Sequence, residues 1–175
     1  MGLIQSFTRP SGKSQRGPLF LSSTRIEPLD SRLFTAVSAV AASTAYLVWF
    51  RVDAPFTASA MEYICGAANG NVDLGIFSSP DFATFTMLGS TGATAASGSN
   101  TTQSINLTGS VVLLPGIDYY AALSGTSSSL TVGKFSGFSA STFSAKTGCQ
   151  KASLNPLATF STPAAPGLQP YLAIK

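Results

Sequence analysis

The chain has no histidine, only two cysteines among 175 residues, and only 10% charged residues. Enzymes that use acid–base or nucleophilic chemistry bring titratable side chains together in a cleft, and histidine serves there most often. The few acids and bases of this chain are scattered along the sequence, with no spacing that selects a pair or triad. These shortages predict a protein that is not an enzyme.

The same shortages argue against a bound cofactor or a zinc site. Zinc sites are built mainly from histidine and paired cysteines, and the chain has neither histidine nor a Cys-x-x-Cys pair. Cys65 and Cys149 are 84 residues apart, a spacing that allows one disulfide without indicating it. Because Cys65 falls in an apolar run, we interpret it as a buried free thiol. No metal and no cofactor are predicted.

The positive charge lies at the beginning of the chain. Residues 1–32 contain five basic and two acidic residues, whereas 33–175 contain five of each. Pro10, Pro18 and Pro28 resist both helix interiors and central strands. Residues 1–32 are therefore predicted to be an extended arm that becomes ordered when docked on a partner protein. The basic residues expected to make the docking contacts are Arg9, Lys13, Arg16, Arg25 and Arg32.

Residues 33–175 read as a series of short strands separated by glycine, proline, serine and threonine. Residues 59–65 alternate, with Met61, Tyr63 and Cys65 as the predicted core face, and residues 71–77 alternate in the same way. Asn69–Gly70 between them is predicted as a tight hairpin turn. About eight strands with little helical periodicity indicate an all-β, antiparallel β-sandwich, which is loop-rich from about residue 139.

Residues 33–50 form an uncharged stretch of 18 residues, which just reaches the lower limit for a membrane helix. Its serines, threonines and many alanines favour two consecutive strands, or a linker and a strand. Residues 1–18 lack the apolar core of a signal peptide. The folded part also carries no dense basic stripe, so neither a membrane nor a nucleic acid is an expected partner.

Two segments of the chain resemble a known family. They read FRVDAPFTASAMEYICGAANGNVDLGIFSSPD at residues 50–81 and SINLTGSVVLLPGIDYYAALSG at residues 104–125. This order resembles the jelly-roll β-sandwich modules of bacteriophage virion proteins, such as fibres, tail appendages and head-decorating proteins; related modules are attached to secreted carbohydrate-active enzymes. The resemblance covers roughly residues 45–125 and implies a jelly-roll-like sandwich located in a virion.

Two functions are compatible with this resemblance. The first is a non-enzymatic virion structural protein, a capsid cement or decoration subunit or a head or tail accessory subunit, anchored by its arm to capsid or tail proteins. A near-neutral sandwich surface also suits a homo-oligomer, of which a trimer is one form. The alternative is a receptor- or glycan-binding fibre or adhesin module that uses loops 66–70, 78–83 and 89–103.

Two groups of side chains are candidates for binding sites, one for a sugar and one for a calcium ion. Aromatic faces stack on sugars, and the residues available for such a platform are Tyr46, Trp49, Tyr63 and Tyr119. Trp49 and Phe50 are adjacent in a strand-like run, and Trp49 is otherwise expected in the core. Three aspartates near turns are compatible with a structural calcium ion, but we interpret them as turn caps; they are Asp73, Asp81 and Asp118.

Overall fold

The computed structural model describes residues 20–22, 25–28, 34–135, 148–165 and 168–175. These residues form fourteen strands and no helix, which confirms the predicted all-β fold. The strands are β1 (Phe20–Ser22), β2 (Arg25–Glu27), β3 (Phe34–Ala39), β4 (Ala45–Phe50), β5 (Phe56–Ala67), β6 (Asn71–Ser78), β7 (Thr84–Ser90), β8 (Thr94–Ala95), β9 (Ser99–Leu113), β10 (Tyr119–Gly125), β11 (Thr131–Phe135), β12 (Gly148–Lys151), β13 (Phe160–Ser161) and β14 (Leu172–Ile174).

The strands form two antiparallel sheets packed as a sandwich. Sheet A has the order β1-β2-β14-β5-β11-β3, and β9 pairs with the other edge of β5. Sheet B has the order β12-β4-β10-β6-β7-β13, and β8 pairs with β6. The uncharged stretch at 33–50 forms β3 and β4, and no helix within the described ranges is long and apolar enough to cross a membrane.

The long strand β5 organises sheet A. Its whole length pairs with β9 on one edge, while the other edge is shared by two shorter strands. Residues 61–63 of β5 pair with β14, and Cys65 and Ala67 pair with β11. The C-terminal residues 172–174 therefore lie near the centre of sheet A.

The core between the two sheets follows the predicted alternation. Met61, Tyr63 and Cys65 of β5 are fully buried, as are Leu74 and Ile76 of β6. In a strand, residues two apart share a face, so the apolar residues of each strand point towards the opposite sheet. The predicted core face of residues 59–65 is thus confirmed.

The outer face of sheet B is also buried, which the alternation alone did not predict. Residues 154–160 lie across it, and Leu157 and Phe160 pack in one cluster with Phe77 and Phe85. Tyr120 joins this second cluster, whereas its neighbour Tyr119 faces the core between the sheets. Strand β10 is consequently buried on both faces.

The Asn69–Gly70 turn connects the two sheets and does not close a hairpin. Strand β5 belongs to sheet A and β6 to sheet B, so the chain crosses between the layers at this point. Gly70 has a φ of +69°, and a Cβ there would lie 3.0 Å from the Ser127 Cβ. Glycine is therefore required both by the backbone conformation and by the close approach of the β10–β11 turn.

Part of the predicted arm belongs to the sandwich. Strand β2 pairs with β14 through Ile26 and Ile174, and the Ile26 side chain is fully buried. The prediction that residues 1–32 form an arm without its own place in the fold therefore differs from the structure at 25–27. Residues 1–19 lie outside the described part of the chain, as do 136–147 of the region predicted to be loop-rich.

Candidate functional site

Strand β2 is held against sheet A by a group of charged and polar side chains. The Arg25 guanidinium donates from Nη2 to Glu62 Oε2 at 2.8 Å and from Nη1 to Glu27 Oε1 at 3.2 Å. The Lys175 ammonium pairs with Glu62, and the Tyr171 hydroxyl accepts from Arg25 and donates to Glu27 Oε1. We call these five residues the Arg25 cluster.

Burial makes each member of the Arg25 cluster depend on the others. Only 7% of the Glu62 side chain and 11% of the Glu27 side chain are exposed, and a buried carboxylate is costly unless it is paired. Burial raises the pKa of Tyr171 to about 12, so its hydroxyl remains a neutral donor at physiological pH. The cluster therefore fixes β2 in its place beside β14 in sheet A.

Of the residues predicted to dock on a partner, Arg25 is the one within the described ranges. Its guanidinium contacts the sandwich itself, because Glu27 on the same strand and Glu62 on β5 lie within reach. Arg9, Lys13, Arg16 and Arg32 lie outside the described residues. The sequence grouped Arg25 with them because its partners Glu62 and Tyr171 are distant in the sequence.

A second charged group lies where β4 ends. The Arg51 guanidinium bonds both carboxylate oxygens of Asp118, at 2.7 and 3.0 Å, and the Trp49 indole donates to the same carboxylate at 2.7 Å. The Arg51 guanidinium also lies 5.7 Å from the centre of the Trp49 ring. The polar edge of the indole is thus occupied, and Arg51 lies over the ring.

The proposed sugar-binding platform is not assembled. Tyr46 is 5% exposed, Tyr119 is 2% exposed, and Tyr63 is fully buried. Only Trp49 of the four aromatic residues retains partial exposure, and it packs on the second core cluster of sheet B. A stack of aromatic faces open to a glycan is therefore absent from these four positions.

The three aspartates are separate and each has protein donors. Asp81 accepts from the backbone amides of Ala83 at 2.9 Å and Thr84 at 2.8 Å, and these bonds lower its pKa. Asp73 is fully buried and accepts from the Leu157 amide at 2.9 Å. Within the described ranges, no three residues among histidine, cysteine, aspartate and glutamate form a group that could hold a metal. The turn-cap interpretation is confirmed for Asp81.

Both cysteines are buried free thiols, as interpreted for Cys65. The Cys65 thiol points towards the Gly98 carbonyl oxygen at 3.6 Å. Burial raises the pKa of both thiols, that of Cys149 to about 12. Neither thiol has the electropositive, exposed surroundings of a reactive cysteine.

The open edge of β9 was missed as a candidate site. Residues 89–103 were predicted to be a recognition loop of the glycan- or receptor-binding alternative, but they contain the end of β7, all of β8 and the beginning of β9. Most of β9 is exposed, and just beyond it Leu114 is 48% exposed. The available signal was the run at 82–117, which contains no charged residue.

No protein-family model matches the chain, and no curated protein matches it either. Three features of the described residues bear on function. They are the Arg25 cluster, the Arg51–Asp118–Trp49 group and the open edge of β9. The first holds β2 on sheet A, the second stabilises the end of β4, and the third is exposed to solvent.

Proposed function

We propose that this chain is a non-enzymatic structural subunit of a bacteriophage virion, which cements or decorates a capsid or serves as a head or tail accessory subunit. The observation that carries the proposal is the Arg25 cluster, which fixes β2 on the sandwich. Residues 1–19, which precede β1, contain Arg9, Lys13 and Arg16 and no acidic residue. A basic segment attached to a rigid sandwich at a defined edge suits an anchor.

The anchor acts through charge and backbone pairing. Arginine guanidinium groups form bidentate bonds with carboxylates, so Arg9 and Arg16 are matched to acidic patches on neighbouring capsid or tail subunits. A segment without its own core also gains order by adding a strand to an exposed sheet edge of its partner. Pro10 and Pro18 limit how many consecutive residues can pair in this way.

The non-enzymatic part of the proposal rests on how the acids are used. Glu27 and Glu62 are paired in the Arg25 cluster, and Asp118 is bonded to Arg51 and Trp49. Asp73 accepts from the Leu157 amide and is fully buried. Each of these carboxylates is engaged in a contact that stabilises the fold, so none is presented to a substrate.

The glycan- or receptor-binding alternative has less support. Its strongest form needs several exposed aromatic faces, and Tyr46, Tyr63 and Tyr119 are buried. Trp49 is covered in part by Arg51. We therefore favour the structural subunit.

The experiment is co-sedimentation with particles assembled without this chain. A cut at residue 33 would remove β2 and break the Arg25 cluster, so the truncated chain is residues 20–175, which keeps both. The second variant is Arg9→Gln, Lys13→Gln, Arg16→Gln, and the matched control is Arg9→Lys with Arg16→Lys, which keeps the charge. The full-length chain and the control should sediment with the particles, with binding weakened by salt, whereas the truncated and neutralised chains should remain in solution.

Equal binding by the truncated chain would show that the sandwich makes the contact and would refute the anchor. Failure of every chain to bind heads or tails would refute the virion assignment. In that case a glycan array probed with residues 20–175 tests the alternative function.

A further inference from the structure

Strand β9 presents one unpaired edge to solvent. It pairs with β5 on one side, and within the described chain no strand pairs with the other side. Asn100 has a positive φ of +52° and the register shifts at 107–110, so the straight part comprises residues 101–106, where four of six residues are exposed and two are half-buried. A row of unpaired backbone donors and acceptors of this length is a template for another strand.

The edge lacks the features that normally keep such strands apart. Natural edge strands are protected by lysine, proline, inward charges or short length. Strand β9 has no charged residue and no proline, and it lies within the uncharged run at 82–117. The absence of protection indicates that the edge is covered when the protein is in its functional state.

The side chains along this edge are uncharged on both faces. Ile105 pairs with Met61 and packs against the core, so Thr101, Gln103 and Ile105 lie on the inner side of sheet A. The alternate residues on the outer side are Thr102, Ser104 and Asn106. Rows of serine, threonine, asparagine and glutamine can hydrogen-bond to identical rows.

Exposed apolar side chains concentrate in the same part of the chain. Val112 near the end of β9 is 61% exposed, and Leu114 and Ile117 follow in the turn. Leu88 of β7 is also exposed, next to Gly89, where β7 packs against Val111 of β9. Four of the five exposed large hydrophobic residues in the described chain thus fall in the 82–117 run, and they add apolar area to the edge.

We propose that the edge of β9 pairs with the same edge of a second copy of this chain, antiparallel and related by a two-fold axis. Sheet A would then continue from one copy into the other. Identical uncharged edges meet without repulsion, which a two-fold interface requires because the same edge supplies both of its sides. The chain's own basic segment is a poorer occupant, because the 82–117 run offers Arg9, Lys13 and Arg16 no carboxylate.

Symmetry restricts the register of this pairing. In the joined sheet, the inner faces of the two copies lie on the same side. Each inner residue of one copy then lies opposite an inner residue of the other copy, and each outer residue lies opposite an outer residue. The two-fold axis therefore passes through a residue, and the centre of the straight segment places it at Thr102, Gln103 or Ser104. In these three registers, Thr102 or Ser104 of one copy lies opposite Thr102 or Ser104 of the other.

The test is sedimentation velocity of the full chain over a range of about 1–100 µM, in which a dimer of micromolar Kd would dissociate on dilution. The double variant Thr102→Lys, Ser104→Lys places like charges opposite each other in every allowed register, and should raise the dimer Kd by about tenfold or more. The variant Thr102→Glu, Ser104→Glu should do the same. An equimolar mixture of the two should form a heterodimer, because opposite charges then meet.

One control variant and two further measurements accompany this test. The matched control is Ala158→Lys, which adds charge on the exposed segment over sheet B and should leave the dimer unchanged. Hydrogen exchange on the unmodified chain should show amides of 101–106 becoming more protected as the dimer forms. Thermal unfolding of each variant checks that the sandwich persists.

A chain that stays monomeric over the whole range, or forms a trimer, would overturn the proposal. So would a dimer that survives the lysine pair but is lost when residues 1–19 are removed, since the basic segment would then make the contact. The proposal does not depend on the virion function: particle binding and self-association are measured on different variants, and either can fail alone.

Discussion

The Asp73 carboxylate accepts a 2.9 Å hydrogen bond from the backbone amide of Leu157, 84 residues later in the chain. Asp73 lies in β6 and is fully buried, and Leu157 belongs to the segment that covers the outer face of sheet B. This bond is one of several that hold the covering segment to the sheet, and both of its partners are shielded from water.

Replacing Asp73 with alanine should destabilise the protein by about 2 kcal/mol, because the buried Leu157 amide loses its acceptor. Asparagine keeps an acceptor oxygen in the same place and should be far milder. Urea unfolding at pH 7 of the unmodified chain and both variants measures the difference. Equal losses for alanine and asparagine would show that the carboxylate charge, not the acceptor, matters.

The buried Asp73 carboxyl group should also make the stability of the protein depend on pH. Burial raises its pKa above the ordinary value of 3.8, although the hydrogen bonds from Leu157 and Thr91 oppose that shift. Its contribution to stability is therefore fully present below pH 3.8 and is lost as the pH rises through the folded-state pKa. The asparagine variant has no such loss, so its stability relative to the unmodified chain should increase from acid to neutral pH. Unfolding at a series of pH values tests this, and the opposite trend would contradict it.

Replacing Arg25 with methionine should destabilise the protein by about 2–3 kcal/mol, because Glu27 and Glu62 are left buried beside each other with Lys175 as the remaining cation. The estimate is at the lower end for a buried pair because the Arg25 side chain is 34% exposed. The control is Arg51→Met, whose ion pair is more exposed and should cost about 1 kcal/mol or less. Chemical unfolding ranks the two, and an equal or larger loss at Arg51 would contradict the assignment of the Arg25 cluster as the stronger contact.

Gly148→Ala should be strongly destabilising, whereas Gly109→Ala should be tolerated. A Cβ on Gly148 would lie 2.7 Å from the Leu47 carbonyl oxygen, so β12 would have to move away from its partner β4. A Cβ on Gly109 would meet no atom within 4 Å, and the change should be neutral or stabilise by about 0.5 kcal/mol through the unfolded state. Melting temperatures of the two variants check this, and similar values would contradict it.

The thiols of Cys65 and Cys149 should resist labelling in the native state. Both are buried, and burial raises the pKa of Cys149 to about 12, so little reactive thiolate exists at pH 8. A thiol reagent should react with both residues immediately in denaturant and only slowly without it, with Cys149 the slower. Rapid labelling of Cys149 under native conditions would show that the segment covering sheet B opens readily.

The alternation of apolar and polar residues predicted the core between the two sheets but not the second core cluster on the outer face of sheet B. Met61, Tyr63 and Cys65 were placed on the core face because period-2 spacing reports a buried side directly. The burial of Phe77 and Tyr120 depends on Leu157 and Phe160, which belong to an irregular segment without periodicity. The sequence around Phe77 and Tyr120 contains no signal that predicts contact with that segment.

The candidate sites follow the same division. In the sequence, Arg25, Ile26 and Glu27 look like part of a polar arm. Their role in the sandwich becomes visible only when Ile26 pairs with Ile174, near the other end of the chain, and Glu62 lies beside Arg25. The turn at Asn69–Gly70 has the sequence of a hairpin, yet whether the next strand pairs or crosses is decided by the core. The open edge of β9 was visible only as a long run without charge.

The position of β14 also determines when this protein can fold. Within the described sheet, strand β2 joins β5 through residues 172–174, so β1 and β2 can pair with each other but join the rest of sheet A only once Ile174 has been synthesised. Sheets dominated by such distant pairings fold slowly, in milliseconds to seconds. Until then, the nascent chain carries an incomplete sheet A with the β9 edge exposed, and such an edge favours aggregation.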